Sequence, residues 1–310
     1  MTGVFTFPGQ GAQRPGMFAT LPDTESVRKT FDQASRALDE DVRSLDTAIA
    51  LADTRSVQIA LTVAGIAAAR VLIAAGASPN AVLGLSIGAW SAAVIANVIG
   101  LDDAIRLVAE RGRLMEQAYP RGYGMAAVIG LSRERVRELL ASFDNESNAT
   151  TLYLANINSD QQIVIAGDDA SLADLEPAAR QAGAQRVVRL DMAVPSHCEL
   201  MAEPARALSK AAEPIEFKTP ERAYFSANRQ RRLWKASEIR DDLVMNMARP
   251  VYWVDTARIV DESGYRLAVE MPPGHTLTRL HPEVEPPGEA ISVADTGWDN
   301  AAELIRRTNA

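Results

Sequence analysis

The sequence predicts an α/β protein in which a compact β-α-β-β-α-β unit, the ferredoxin-like arrangement, is inserted into a larger α/β body. Three observations carry this. Apolar runs of strand length alternate with helix-period segments through most of the chain. Residues 125–193 read, in order, as strand, helix, strand, strand, helix and strand. Gly84-Leu85-Ser86-Ile87-Gly88 stands where an apolar run gives way to a helical pattern, so a strand ends there and a helix starts at once. The 310 residues are enough for one large domain or two of ordinary size. The expected division gives 1–124 and 194–310 to the body and 125–193 to the insert.

Val4 to Phe7 forms a short strand, broken by Pro8-Gly9-Gln10-Gly11-Ala12-Gln13, whose glycines let backbone amides approach a ligand. This is not a dinucleotide fingerprint, because Arg14 stands where the third glycine is required. Asp23 or Thr24 caps a helix to about Leu38, and Arg55 to Ala75 is a long, nearly all-apolar buried helix. Ala81 to Leu85 is a strand and Ile87 to Ile99 a helix, and Asp102 caps the next helix through about Ala118. The insert follows as Met125 to Leu131, Ser132 to Phe143, Thr151 to Asn158, Gln162 to Gly167, Ala170 to Gly183 and Gln185 to Ala193. Pro177 is expected to kink or split its second helix. Beyond it, Glu199 to Ala212 and Ile239 to Ala248 are helical and Arg266 to Glu270 is a strand. A short helix follows Pro272-Pro273-Gly274, and Ala290 to Ala294 supplies a last strand.

The Gly-x-Ser-x-Gly turn reads as a nucleophile elbow, which holds Ser86 above the sheet at the positive end of a helix. A side chain at Gly84 or Gly88 would crowd it. The N–H of Ile87, next after the serine, is placed to supply half of an oxyanion hole. A serine nucleophile needs a base, and the chain has three histidines, His197, His275 and His281. His275 and His281 flank a proline-rich C-terminal stretch and read as solvated surface, whereas His197 lies at the junction after the insert. Cys198 beside it reads as a small buried hydrophobe. On a helical wheel Arg111 shares a broad face with Ala104, Leu107, Val108, Gly112, Leu114 and Met115. A guanidinium on an apolar face needs an anion, which is either a structural Asp or Glu or the carboxylate of a substrate held bidentately.

Composition narrows the partners. A net charge of −8 and no long basic patch argue against nucleic acid. None of the four lysines follows a glycine, which excludes a P-loop. One cysteine allows no intrachain disulfide and points to a reducing compartment. The N-terminus lacks a secretory pattern and no uncharged apolar run is long enough to span a membrane, so a cytoplasmic protein without membrane contact is expected. Arg229, Arg231, Arg232 and Lys235 form the densest basic cluster, either solvated surface or a contact for CoA phosphates or an acidic partner.

Pro8-Gly9-Gln10-Gly11-Ala12-Gln13, the Ser86 elbow, Arg111 and Val194-Pro195-Ser196-His197-Cys198 closely resemble the malonyl-CoA:acyl carrier protein transacylases over nearly the whole chain. The resemblance implies an α/β-hydrolase-like large domain carrying the ferredoxin-like insert. It implies Ser86 as the acylated serine, His197 as its base, backbone N–H groups of Gln10 and Ile87 as the oxyanion hole, and Arg111 as the group gripping the malonyl carboxylate. Asn246 matches a position, often glutamine, whose backbone carbonyl orients the histidine. Leu85 and Ala89 depart from the Gly-His-Ser-x-Gly-Glu of the fatty-acid enzymes. With Tyr153 to Asn158, Asn246-Met247-Ala248-Arg249 and Glu270 to Gly274, the chain looks most like the epsilon subunits of bacterial malonate decarboxylase. That likeness implies transfer of malonyl from malonyl-CoA to the thiol of a carrier protein's phosphoribosyl-dephospho-CoA, or to phosphopantetheine in fatty-acid or polyketide synthesis. No metal and no permanently bound cofactor is expected.

Overall fold

A computed structural model of the chain describes residues 2–147, 151–282 and 288–309. The first half of the body is β1 (Thr2–Phe7), α1 (Glu25–Leu38), α2 (Thr54–Ala74), β2 (Ala81–Gly84), α3 (Gly88–Ile95) and α4 (Leu101–Ala118). The insert is β3 (Tyr123–Ile129), α5 (Arg133–Ser147), β4 (Leu152–Ser159), β5 (Gln162–Asp168), α6 (Asp169–Gln181) and β6 (Arg186–Arg189). The body resumes with α7 (Ala202–Ala211), β7 (Ala223–Ser226), β8 (Arg231–Leu233), α8 (Ala236–Met245), β9 (Val251–Tyr252) and α9 (Trp253–Glu262). It ends with β10 (Tyr265–Glu270), α10 (Thr276–Arg279), β11 (Glu289–Ser292), α11 (Val293–Thr296) and α12 (Trp298–Asn309).

The body's sheet has the order β11-β10-β1-β2-β7-β8, parallel except for β8, which pairs antiparallel with β7. In the β1–β2 register Phe7 lies opposite Gly84. The loop after β1 and the elbow after β2 therefore leave the sheet side by side at its carboxyl edge, where open α/β sheets bind ligands. The second sheet has the order β6-β3-β5-β4-β9. Its four inserted strands are antiparallel, in the order of a ferredoxin-like unit. The fifth, β9, comes from the body and runs parallel to β4.

Most of α2 is buried, which explains its lack of a polar face. By length and composition it could cross a membrane, yet 78% of its most apolar window is covered by the rest of the fold. Asp53 caps it by accepting from Ser56 N at 2.7 Å. Helix α4 crosses it closely at Gly112, where a Cβ would come within 2.5 Å of Arg55 Cα.

Thr24, one of the two expected caps, closes the start of α1. Several expectations are corrected. Helix α4 starts one residue past Gly100, with Asp102 in its first turn and no capping side chain. Helix α3 stops at Ile95, and Asn97 beyond it has φ 59°. Pro177 does not split α6: only the bond to Ala173 is forgone, while buried Leu175 and Ala179 on either side hold the helix to the insert's core. The stretch 199–212 begins as a 3₁₀ turn before α7. The basic cluster lies along the β7–β8 hairpin, and the structure engages most of it internally. Arg229 pairs with Asp241, Arg231 with Glu238 at 2.8 Å, and Arg232 stacks 3.4 Å from the Trp234 ring centroid.

Candidate active site

Ser86 sits in the turn between β2 and α3, with φ 52°, a left-handed conformation costly for a residue with a Cβ. The close approach that enforces it is visible at the flanking glycines. A Cβ on Gly84 would lie 2.2 Å from Ala89 N, and one on Gly88 would lie 2.1 Å from Phe7 O. The elbow can pack only without those side chains. His197 has φ 66° and is held by its own N–H, which donates to Met247 O at 2.7 Å.

The two side chains meet at 2.7 Å between His197 Nε2 and Ser86 Oγ. Behind the ring, Nδ1 faces two carbonyl oxygens, Asn246 O at 3.0 Å and Arg249 O at 3.2 Å. Carbonyls only accept, so Nδ1 carries the hydrogen and Nε2 presents its lone pair to the serine hydroxyl. His197 is buried. That burial, and then the positive charge of Arg111, lowers the imidazole to about 4, so it is neutral at physiological pH.

Arg111 is wholly buried on α4, and its predicted face is the buried one, apart from half-buried Leu114. Its Nη2 donates to Ser86 Oγ and to Asn246 Oδ1, both at 3.4 Å, and its Nε has no partner. Among the described residues no carboxylate pairs with it. Burial lowers the guanidinium to about 9, which leaves it charged at pH 7. Of the two sequence readings of Arg111, the structural ion pair is therefore absent among the described residues.

Gln10 and Ser86 line one cleft of about 190 Å³ with His197, below a wall from the insert that includes Met125, Asn156, Asn158 and Met192. Leu85 and Leu277 line its apolar side. Ile87 turns its side chain into the core. Among the described residues the backbone N–H groups of Gln10 and Ile87 have no hydrogen-bond partner. Cys198 is buried, donates to Pro195 O at 3.2 Å, and is pushed up to about 12 by burial, as suits an inert thiol. His275 is partly exposed beside Asp295, but the surface reading of His281 is corrected. Its side chain is 13% exposed and lies 3.2 Å from the buried Asp261.

The family resemblance implies a backbone role for Asn246, and its side chain also meets Arg111. Asn228, which no sequence signal marks, bonds both Asn246 and the Arg249 carbonyl through its amide. An asparagine after a buried four-residue strand carries no motif, so only the hairpin's placement reveals it. Among the described residues no cluster of three or more His, Cys, Asp or Glu is arranged to hold a metal.

Residues 4–293 match the acyl transferase domain family. The malonyl CoA-acyl carrier protein transacylase of Haemophilus influenzae is 36% identical over 304 residues, covering 96% of both chains. That of Escherichia coli K12 is 35% identical, covering 89% of this chain and 90% of its own. Among solved structures, FabD from Acinetobacter baumannii superposes with a TM-score of 0.92 at 31% identity, covering 99% and 98%. A malonyl-transacylase in complex with a type II PKS acyl-carrier protein gives 0.91 at 34% identity, covering 98% and 100%. With its elbow serine, its histidine and a family match along nearly its whole length, this chain belongs to the acyl transferase family.

Proposed function

We propose that the protein transfers malonyl from malonyl-CoA to the thiol of an acyl carrier protein through a malonyl-Ser86 intermediate, acting in the cytoplasm. The observation that carries the substrate is Arg111, a buried guanidinium 3.4 Å from the Ser86 hydroxyl with no carboxylate partner among the described residues. An acyl group ending in a carboxylate supplies that anion, whereas acetyl leaves the charge unanswered. In the first half-reaction His197 Nε2 takes the Ser86 proton as Oγ attacks the thioester carbonyl. The N–H groups of Gln10 and Ile87 hold the oxyanion, and the C–S bond then breaks as His197 returns the proton to the CoA thiolate. The carrier thiol gives its proton to His197, attacks malonyl-Ser86, and Ser86 leaves with that proton. The insert, taken as 125–193, serves as the wall of the cleft.

The acceptor has two readings. The relatives are named for acyl carrier protein without reference to malonate decarboxylase, and one neighbour is complexed with a type II PKS carrier, which favours a phosphopantetheine carrier of fatty-acid or polyketide synthesis. Leu85, Ala89 and Asn246 favour the malonate decarboxylase carrier. The deciding experiment mixes the protein with malonyl-CoA or acetyl-CoA without acceptor and reads intact mass and the modified peptide, then offers each carrier in turn. A malonyl adduct on Ser86, absent in Ser86→Ala and scarce with acetyl-CoA, is expected. No adduct from either thioester on folded protein would remove the reading.

A further inference from the structure

We infer that Asn228 is a positioning residue for this reaction: one carboxamide fixes both a carbonyl that orients His197 and the side chain that meets Arg111. The inference rests on the acyl-transfer reading above. Asn228 lies just past β7. Its Nδ2 donates to Arg249 O at 2.9 Å and to Pro250 O at 2.8 Å. Both partners can only accept, so the amide has one allowed orientation and its Oδ1 must point away from them. There it accepts from Asn246 Nδ2 at 2.6 Å. With its nitrogen so used, Asn246 turns its Oδ1 to Arg111, which can only donate.

The polarity of this chain is set at both ends, by two backbone carbonyls and by a guanidinium. Neither asparagine can flip without placing donor against donor or acceptor against acceptor. The Arg249 carbonyl at its start is one of the two that receive His197 Nδ1–H, and the other belongs to Asn246 itself. The base and the carboxylate-binding group are thus referred to the same side chain. Among the described residues Asn228 neither lines the cleft nor hydrogen-bonds Ser86, so it acts through these neighbours. The surrounding loop is anchored independently, because Asp241 pairs with both Arg229 and Arg249.

A merely structural role would slow acylation by any thioester alike, whereas loss of this relay changes the choice between thioesters. Ser86 acylation by malonyl-CoA and by acetyl-CoA is measured in the wild type, Asn228→Ala, Asn246→Ala and the double variant. Asn228→Ala is expected to lower malonyl-over-acetyl preference about tenfold, the size of one hydrogen bond to a charged group. Asn246→Ala should lose a similar share, and the double variant no more than either alone, because neighbours in one network are not additive. Asn228→Ala with the wild-type preference, or losses that add in the double variant, would overturn the relay. If Asn228→Ala does not fold, Asn228→Ser, too short to span both partners, is read the same way. Failure of wild-type protein to take malonyl on Ser86 would instead remove the reaction on which the inference stands.

Discussion

At the scale of single residues, Arg111 and His197 sit around one hydroxyl, and the guanidinium acts on the imidazole. The guanidinium is the second cause, after burial, of the lowered imidazole. The imidazole is neutral above its pKa, so acylation by the proposed mechanism should be flat from neutrality to about pH 5 and fall as the ring is protonated near 4. Arg111→Met removes one of the two lowering causes. The acid limb for acetyl-CoA should therefore move to higher pH, while acylation by malonyl-CoA falls about tenfold to a hundredfold. An unmoved limb in the pH–rate profile would mean that the two groups are not electrostatically coupled. Ser86, His197 and Arg111 were legible in the sequence because a turn, a junction and a helix face each give local signals. Asn228 and the buried His281–Asp261 contact were not, since each depends on segments brought together only by the fold.

At the scale of elements, the elbow works because β1, β2 and α3 converge where no side chain fits. Gly88→Ala would place a methyl 2.1 Å from Phe7 O and 2.8 Å from Pro8 O, backbone atoms that root the Gln10 loop. Overpacking of this kind costs about 1–3 kcal/mol. Thermal denaturation should show that loss, and the Ser86 adduct should form far more slowly. Stability and acylation both at wild-type level would contradict the tight convergence. Long elements such as α2 and α4 were readable from periodicity. Strands β8 and β9, three and two residues long, were not, because alternation cannot register over so few positions.

At the scale of the whole molecule, two buried groups pull stability in opposite directions as pH changes. His197, lowered from 6.5 to about 4, excludes a proton that the unfolded chain binds, so its contribution is lost as pH falls through that window. Asp242, wholly buried and bonded to Ser226 and Tyr224, is raised from 3.8 to about 6 by burial. It binds its proton more tightly in the native chain, so its contribution is present below about 3.8 and lost as pH rises through 6. Asp242→Asn removes the second contribution. Denaturant titrations should then show the variant falling furthest behind the wild type at about pH 4, with the gap narrowing towards pH 7; a gap that widens with pH would refute the assignment. The order of the insert was readable from the sequence, but its attachment was not. The fifth strand of its sheet is β9, and β9 follows directly on Arg249 and Pro250, whose carbonyls are bound by His197 and Asn228. The sheet that walls the cleft and the carbonyl that holds the His197 ring are consecutive links of one chain. A displacement of the insert would therefore pull, through β4 and β9, on the Arg249 carbonyl that faces the His197 ring.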